Sequence, residues 1–262
     1  KTNHFVSVSS MVYRMKRNGA GLASICILCT MVLVMISSTT CLYIGAEDSL
    51  RNRYPRNINL DAVISSLDVF DDAQTTSTEE AIRGITDQNG IRQENVLSYK
   101  TAAFGAMIDG NRMTFDSSQF QTLSSASSLW QVFVVSISDY NRLMRTNETL
   151  SSDEAIIYTT KETSYKGDTI QIGDGAPLTI VKQADGFVDN SVDSMQIFPS
   201  IYLFVSDVRS VVAPLMDYKL ENDYPLVSLH WYYGFDLPCE DELQITIEQQ
   251  IGKQLANMDD TV

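Results

Sequence analysis

Few side chains of this sequence could carry out covalent or redox chemistry. Histidine occurs only as His4 and His230, which leaves little material for a multi-histidine metal site or a histidine-based triad. We expect His230 to be a hydrogen-bonded residue of an aromatic strand. Cys26 and Cys29 have the spacing of a redox pair, but they lie inside a long apolar run where a thiolate is costly. We therefore predict neither a metal site nor a redox site.

Carboxylates are the most abundant groups that could transfer protons. They cluster at Asp71-Asp72, Glu79-Glu80, Glu240-Asp241-Glu242 and Asp259-Asp260. Adjacent acids at loops and helix starts are usually solvated or stabilised by the helix dipole. A glycosidase-like pair stays open as an alternative, but no feature of the sequence selects two of these acids. We predict no catalytic residue and no cofactor in this chain, and the ligand-binding residues stay unknown.

Glycine-rich sequence at Gly173-Asp174-Gly175 is the nearest approach to a phosphate-binding loop. It lacks the lysine and the following helix that such a loop needs, so it predicts a hairpin turn. Outside the apolar run only Cys239 remains, which excludes a disulfide within the rest of the chain.

One apolar segment is long enough to cross a membrane. Residues 19–44 contain no charged side chain, and 26 helical residues at 1.5 Å each exceed a hydrocarbon core of ~30 Å. A signal peptide has a shorter apolar region of ~7–15 residues, and Thr39-Thr40-Cys41-Leu42 is a poor site for signal or lipoprotein processing. We therefore predict a transmembrane helix over residues 19–45.

Charged residues predict the orientation of this helix. Lys1, Arg14, Lys16 and Arg17 precede it without any acid, which places residues 1–18 in the cytoplasm. Apolar residues at helical spacing make this segment a candidate amphipathic helix at the inner membrane surface. The alternative is that the segment is only the part of the helix that leads into the span. Residues 46–262 are then extracellular.

The extracellular part is strongly acidic. From residue 47 onward the chain has 15 basic and 33 acidic residues, a net charge of −18. Such a field argues against nucleic acid as a partner and favours cationic ligands, although solubility alone would also explain it. Its 216 residues are enough for one large domain or two small lobes.

Local patterns in residues 46–262 mix strands and helices. Strands are predicted at 58–65, 96–101, 102–108, 112–115, 130–138, 154–159, 166–172, 177–181, 201–205 and 226–232. Helices are predicted from Ser77 to Asn89-Gly90, after Ser138-Asp139, and over 239–255 with Leu243, Ile245, Ile247 and Ile251 as apolar contacts. We predict an α+β domain with a loop at 121–128 and a small β-rich lobe at about 146–190.

Several stretches resemble one known family. They are residues 5–28, Thr30-Met31-Val32-Leu33-Val34, Tyr43-Ile44-Gly45, Arg53-Tyr54-Pro55, Ser138-Asp139-Tyr140-Asn141-Arg142-Leu143 and Tyr232-Tyr233-Gly234-Phe235-Asp236-Leu237. The first four are similar to the helix that precedes the large extracellular domain in FtsX-like permeases of bacterial ABC transporters, of the bacitracin-resistance type in Bacillota. The last two resemble points in the ectodomain of that family.

The resemblance implies a function and a set of partners. It implies a multi-pass permease of the cell membrane that works with separate cytoplasmic ATP-binding subunits, where ATP hydrolysis would reside, and with a membrane histidine kinase. The implied substrate is a cationic peptide antibiotic or its complex with a lipid-linked cell-wall precursor. Because the sequence holds one span, it looks like a piece of such a permease. The alternatives are a single-pass sensor or adhesion ectodomain and, less favoured, a membrane-anchored hydrolase.

Overall fold

The computed structural model of the chain describes residues 2–54, 56–71, 74–115, 129–160, 165–188, 199–219 and 224–259. The chain forms two compact units, Lys1–Arg51 and Asn52–Val262. The loop predicted at 121–128 and the acids Asp72 and Asp260 lie outside the described residues.

The first unit belongs to a single long helix. Helix α1 runs over Thr2–Arg53, and its segment Gly21–Ala46 has a mean hydropathy of 2.3 with no residue buried. Thr30, Thr39 and Thr40 each donate their hydroxyl to a carbonyl three or four residues earlier, at 2.8 to 2.9 Å. These bonds satisfy polar groups inside an apolar stretch. Within the described residues this is the one helix long and apolar enough to span a membrane.

The second unit combines strands and helices, as predicted. Its described strands are β1 (Ile58–Ile64), β2 (Glu94–Asp109), β3 (Arg112–Thr114), β4 (Leu129–Ser136), β5 (Glu154–Thr159), β6 (Thr169–Ile172), β7 (Leu178–Gln183), β8 (Ser200–Val205) and β9 (Ser228–Asp236). Its described helices are α2 (Leu67–Asp71), α3 (Gln74–Gln88), α4 (Ile137–Met144), α5 (Val208–Val212) and α6 (Asp241–Asp259), with a 3-10 turn at Ala213–Leu215.

All nine strands belong to one sheet, in the order β1-β9-β2-β3-β6-β7-β5-β8-β4. Strand β2 pairs with β9 and β3 along one edge and with β4 along the other. Because β4 is also the last strand of this order, the seven strands from β2 to β4 form a closed ring of paired strands. Three of the pairings, β3 with β6, β5 with β7 and β4 with β8, are parallel. Strands β5 to β7, which lie in the range of the predicted small lobe, are therefore members of the same sheet.

Buried apolar side chains form two clusters in this unit. The larger one contains alternate residues of β9, among them Trp231 and Phe235, together with Ile247 and Ile251 of α6. The smaller one is aromatic. In it Tyr140 of α4 packs on Phe204 with ring centroids 4.3 Å apart. Each such large side chain that is removed from water stabilises the fold by about 1.5–3 kcal/mol.

Four predictions for this unit are wrong in detail. Helix α3 begins at Gln74 rather than at Ser77, and α4 begins at Ile137 with Ser136, not Ser138-Asp139, as its N-cap. The segments 96–101 and 102–108 form one strand, β2, because no turn residue interrupts them and three neighbouring strands pair along their length. Ile245 of α6 is 53% exposed rather than a core contact. It lies two residues from Leu243 and from Ile247, and a helix turns by about 200° over two residues, so it points away from their face.

Candidate functional site

A polar cleft of about 660 Å³ opens where β4 and β8 end. These strands are parallel, with Ser136 paired to Val205, and each leads into a helix. Ser136 Oγ accepts from the Asp139 amide at 3.1 Å, and the Asp207 carboxylate accepts from the Arg209 amide at 3.0 Å. The carboxyl ends of parallel strands are a frequent position for ligands, which makes this polar cleft a candidate site.

Charged groups of the polar cleft bond to the protein itself. The Asp139 carboxylate accepts from Arg142 at 2.5 Å and from the Lys100 amide at 3.2 Å. Arg142 also donates to the Ser98 carbonyl at 2.6 Å, and Lys100 Nζ donates to the Phe70 carbonyl at 2.5 Å. These bonds tie α4 and α2 to β2. The charged groups of the cleft thus form a hydrogen-bonded network that joins these three elements.

His230 lies in β9 as a hydrogen-bonded residue, which confirms its prediction. Its Nδ1 is 2.7 Å from Asp61 Oδ1, and its Nε2 is 3.0 Å from Ser228 Oγ. Carboxylate, imidazole and hydroxyl thus occur in the order of a hydrolase triad, which the sequence did not suggest because Asp61 is 169 residues away. However, Ser228 Oγ also bonds the Ala103 carbonyl at 3.2 Å, so its single hydrogen is directed to the backbone.

Beside this triad-like group, Tyr232 stacks on the His230 ring with centroids 5.8 Å apart. Burial, and secondarily the charge of Asp61, raise the pKa of Tyr232 above its ordinary value. Burial likewise raises the pKa of Tyr233 on the opposite face of the strand. Both phenols are neutral at physiological pH. Tyr232 packs on neighbouring rings, and Tyr233 donates its hydroxyl to Gln93 Oε1 at 2.7 Å.

A second cavity, which we call the apolar groove, has a volume of about 530 Å³. Its apolar lining residues are Phe115, Ile172, Ala176, Leu178, Val211, Pro214, Leu215 and Tyr218. Among the described lining residues Asp174 is the one that is charged, and it forms an ion pair with Arg112 at the rim. A concave apolar surface with a few polar groups is typical of ligand sites. The apolar groove is therefore the candidate binding site.

The glycine turn between β6 and β7 forms one wall of the apolar groove. Gly173 has φ +55°, and a Cβ atom added there would lie 3.0 Å from the Phe115 ring. Glycine is therefore required both by the backbone conformation and by the close approach. The hairpin predicted at Gly173-Asp174-Gly175 is confirmed, but its contribution to a cavity was missed. The groove combines four separate segments of the chain, which no local pattern brings together.

The two ectodomain motifs that resemble the permease family lie at structural joints. In α4, Asn141 Oδ1 accepts from the Glu148 amide at 2.8 Å, and its Nδ2 donates to the Glu148 carbonyl at 2.8 Å. At the end of β9, the Asp236 carboxylate accepts from the Asn57 amide at 3.0 Å and from Asn95 Nδ2 at 2.8 Å. These motifs thus hold loops in place and do not line the apolar groove.

No protein-family model and no curated protein sequence matches the chain. Within the described residues, no group of three or more His, Cys, Asp or Glu side chains is placed to hold a metal ion. The case for a function therefore depends on the apolar helix, the acidic second unit and the apolar groove.

Proposed function

We propose that this chain is part of an ABC-transporter permease of the FtsX-like, peptide-antibiotic-resistance type. Its second unit would then be the extracellular domain that handles a peptide. The observation that carries the proposal is the helix segment Gly21–Ala46, 26 residues with a mean hydropathy of 2.3, followed by a separately folded acidic unit. A single uncharged helix next to a folded polar domain is the arrangement of a membrane-anchored ectodomain.

The charge and the cavity of the second unit support a cationic, amphipathic substrate. A net charge of −18 after residue 46 attracts cations over distances up to about a screening length. The apolar groove offers a place for apolar side chains of the same molecule. A free cationic peptide antibiotic would have this combination, and its complex with a lipid-linked cell-wall precursor is the other proposed substrate.

Within this proposal, cytoplasmic ATP-binding subunits supply the energy and α1 connects them with the outside. Their motion would be transmitted mechanically, since a continuous helix resists bending. A histidine kinase in the same membrane would be a further partner. The second unit would hold or release the peptide without covalent chemistry.

A single-pass sensor or adhesion ectodomain is the second candidate, because the described residues contain one candidate span. Partner proteins distinguish the two. Purification of the membrane protein from its native host should recover stoichiometric ATP-binding subunits if it is a permease. Recovery of the intact protein without any ATPase would favour the sensor.

Topology is the direct test of the proposal. In a chain whose four cysteines are replaced by serine, Ser49→Cys should react with a membrane-impermeant maleimide in intact cells. Thr2→Cys should react only after the cells are opened. The positive residues before the span dictate this orientation. Labelling of Thr2→Cys but not Ser49→Cys in intact cells would exclude an extracellular second unit.

A further inference from the structure

We propose that the apolar groove binds an apolar side chain of a cationic peptide whose basic groups stay at the acidic rim. This inference rests on the proposed function and assigns a contact site within it. Phe115, Leu215 and Tyr218 present aromatic and aliphatic surface to a cavity of about 530 Å³. Pockets that hold drug-sized molecules have volumes of ~300–1,000 Å³, so this space fits one or two large side chains rather than a whole peptide.

The charged residues around the apolar groove favour a ligand that carries positive charge. Asp174, the one charged residue in the described part of the lining, has a side chain that is 96% exposed at the rim. Asp153 and Asp217 are exposed and directly adjoin the lining residues Ser152 and Tyr218. Of the bases next to the groove, Arg112 pairs with Asp174, Arg209 adjoins the lining residue Ser210 and pairs with Asp68, and Lys219 adjoins Tyr218. The four carboxylates Asp68, Asp153, Asp174 and Asp217 outnumber these three bases, and the second unit as a whole is strongly acidic, so a fatty acid or another anionic amphiphile is disfavoured.

Tyr218 allows the groove to be altered without damage to the core. Its side chain is 45% exposed although it contacts the Phe115 ring at a centroid distance of 5.8 Å. Tyr224 is 68% exposed, follows closely in sequence and does not line the groove, which makes it a matched control. Ala176 is an exposed lining residue, so an indole introduced there would fill the cavity from its mouth.

The test uses the full chain in phosphatidylcholine nanodiscs, with empty nanodiscs subtracted. The probes are two acetylated, amidated pentapeptides of equal charge, Lys-Lys-Trp-Lys-Lys and Lys-Lys-Ser-Lys-Lys. Wild-type chain should bind the tryptophan peptide about tenfold more tightly, since an indole buries a large apolar area. Ala176→Trp should abolish this preference and Tyr218→Ser should reduce it to about threefold. Ala256→Trp on α6 and Tyr224→Ser should leave it unchanged.

Equal binding of both peptides to the wild-type chain would overturn the groove assignment. If that equal binding still weakened with salt, the proposed function would survive. If neither peptide bound at low salt, the proposed function would fail as well. In a third result, Ala176→Trp lowers the melting temperature while the preference for the tryptophan peptide persists. This result would show that the chain itself covers the groove, and it would also overturn the assignment.

Discussion

Ser98 is the residue at which three elements of the second unit are joined by one hydroxyl group. Its Oγ donates to the Glu79 carboxylate of α3 and accepts from Trp231 Nε1 of β9 at 3.1 Å. The residue is buried in β2, so water does not easily replace either partner. A single small side chain thus links α3, β2 and β9 beside the polar cleft.

We predict that Ser98→Ala lowers the free energy of unfolding by about 1–3 kcal/mol, because it leaves a buried indole N–H and a carboxylate without their partner. Urea unfolding followed by tryptophan fluorescence measures the change. Ser206→Ala removes an exposed hydroxyl that donates to the Ser151 carbonyl at 3.3 Å, and it should cost less than about 0.5 kcal/mol. Equal effects of the two substitutions would contradict the role given to Ser98.

The raised pKa of Tyr232 predicts that the stability of the folded second unit falls at alkaline pH. In the unfolded chain a tyrosine ionises near pH 10, whereas burial raises the pKa of Tyr232 in the folded state. Above pH 10 the unfolded chain therefore loses a proton that the folded chain keeps, so this contribution to stability is complete below pH 10 and is lost as pH rises.

Tyr232→Phe should accordingly make the loss of stability above pH 10 shallower, by up to about 1.4 kcal/mol per pH unit. Unfolding free energies measured from pH 8 to 12 test this, and absorbance at 295 nm reports tyrosinate directly. An unchanged pH slope in Tyr232→Phe would mean that the phenol ionises in the folded protein as it does in the unfolded chain.

At the scale of elements, the segment that follows α1 is fixed to the sheet at the end of β9. Asp236 accepts from Asn57 and Asn95, Arg56 Nε donates to the Asn95 carbonyl at 2.7 Å, and Asn57 Nδ2 donates to Gln244 Oε1 of α6 at 3.1 Å.

We predict that Asp236→Ala accelerates amide exchange in residues 56–64, because two donors lose their acceptor at a joint that secures β1. Hydrogen–deuterium exchange with mass spectrometry of that peptide measures the effect. Asp174→Ala breaks an exposed ion pair at the rim of the apolar groove and should leave exchange in this peptide unchanged. Unchanged exchange in Asp236→Ala would show that Asp236 does not secure β1.

Sequence patterns predicted the elements with clear periodicity and missed those without it. The alternation in β1 and the end of α3 before Asn89-Gly90 are visible along the chain, and both elements are present, although α3 begins at Gln74 and Ser77 is therefore not its cap. Helices α2 and α5 have five residues each, too few for a helical period. The apolar groove could not be predicted because Phe115, Leu178 and Leu215 are brought together only by sheet closure, which depends on distant pairings.

At the scale of the whole molecule, composition carried most of the functional argument. The uncharged run and the acidic remainder are properties of the sequence, and the structure adds that they occupy two separate units. In the polar cleft, the acids Asp139 and Asp207 hold helices in place.

The rate at which a cationic peptide associates with the chain at different salt concentrations tests the central claim most directly. Raising ionic strength from ~0.01 to ~1 M shortens the screening length from ~30 to ~3 Å. With the Lys-Lys-Trp-Lys-Lys probe in stopped flow, we predict that association slows at least tenfold while dissociation changes little. The same peptide with glutamate for lysine should associate slowly at every salt concentration. A salt-independent association rate, or equal rates for the two peptides, would contradict capture of cations by the acidic unit.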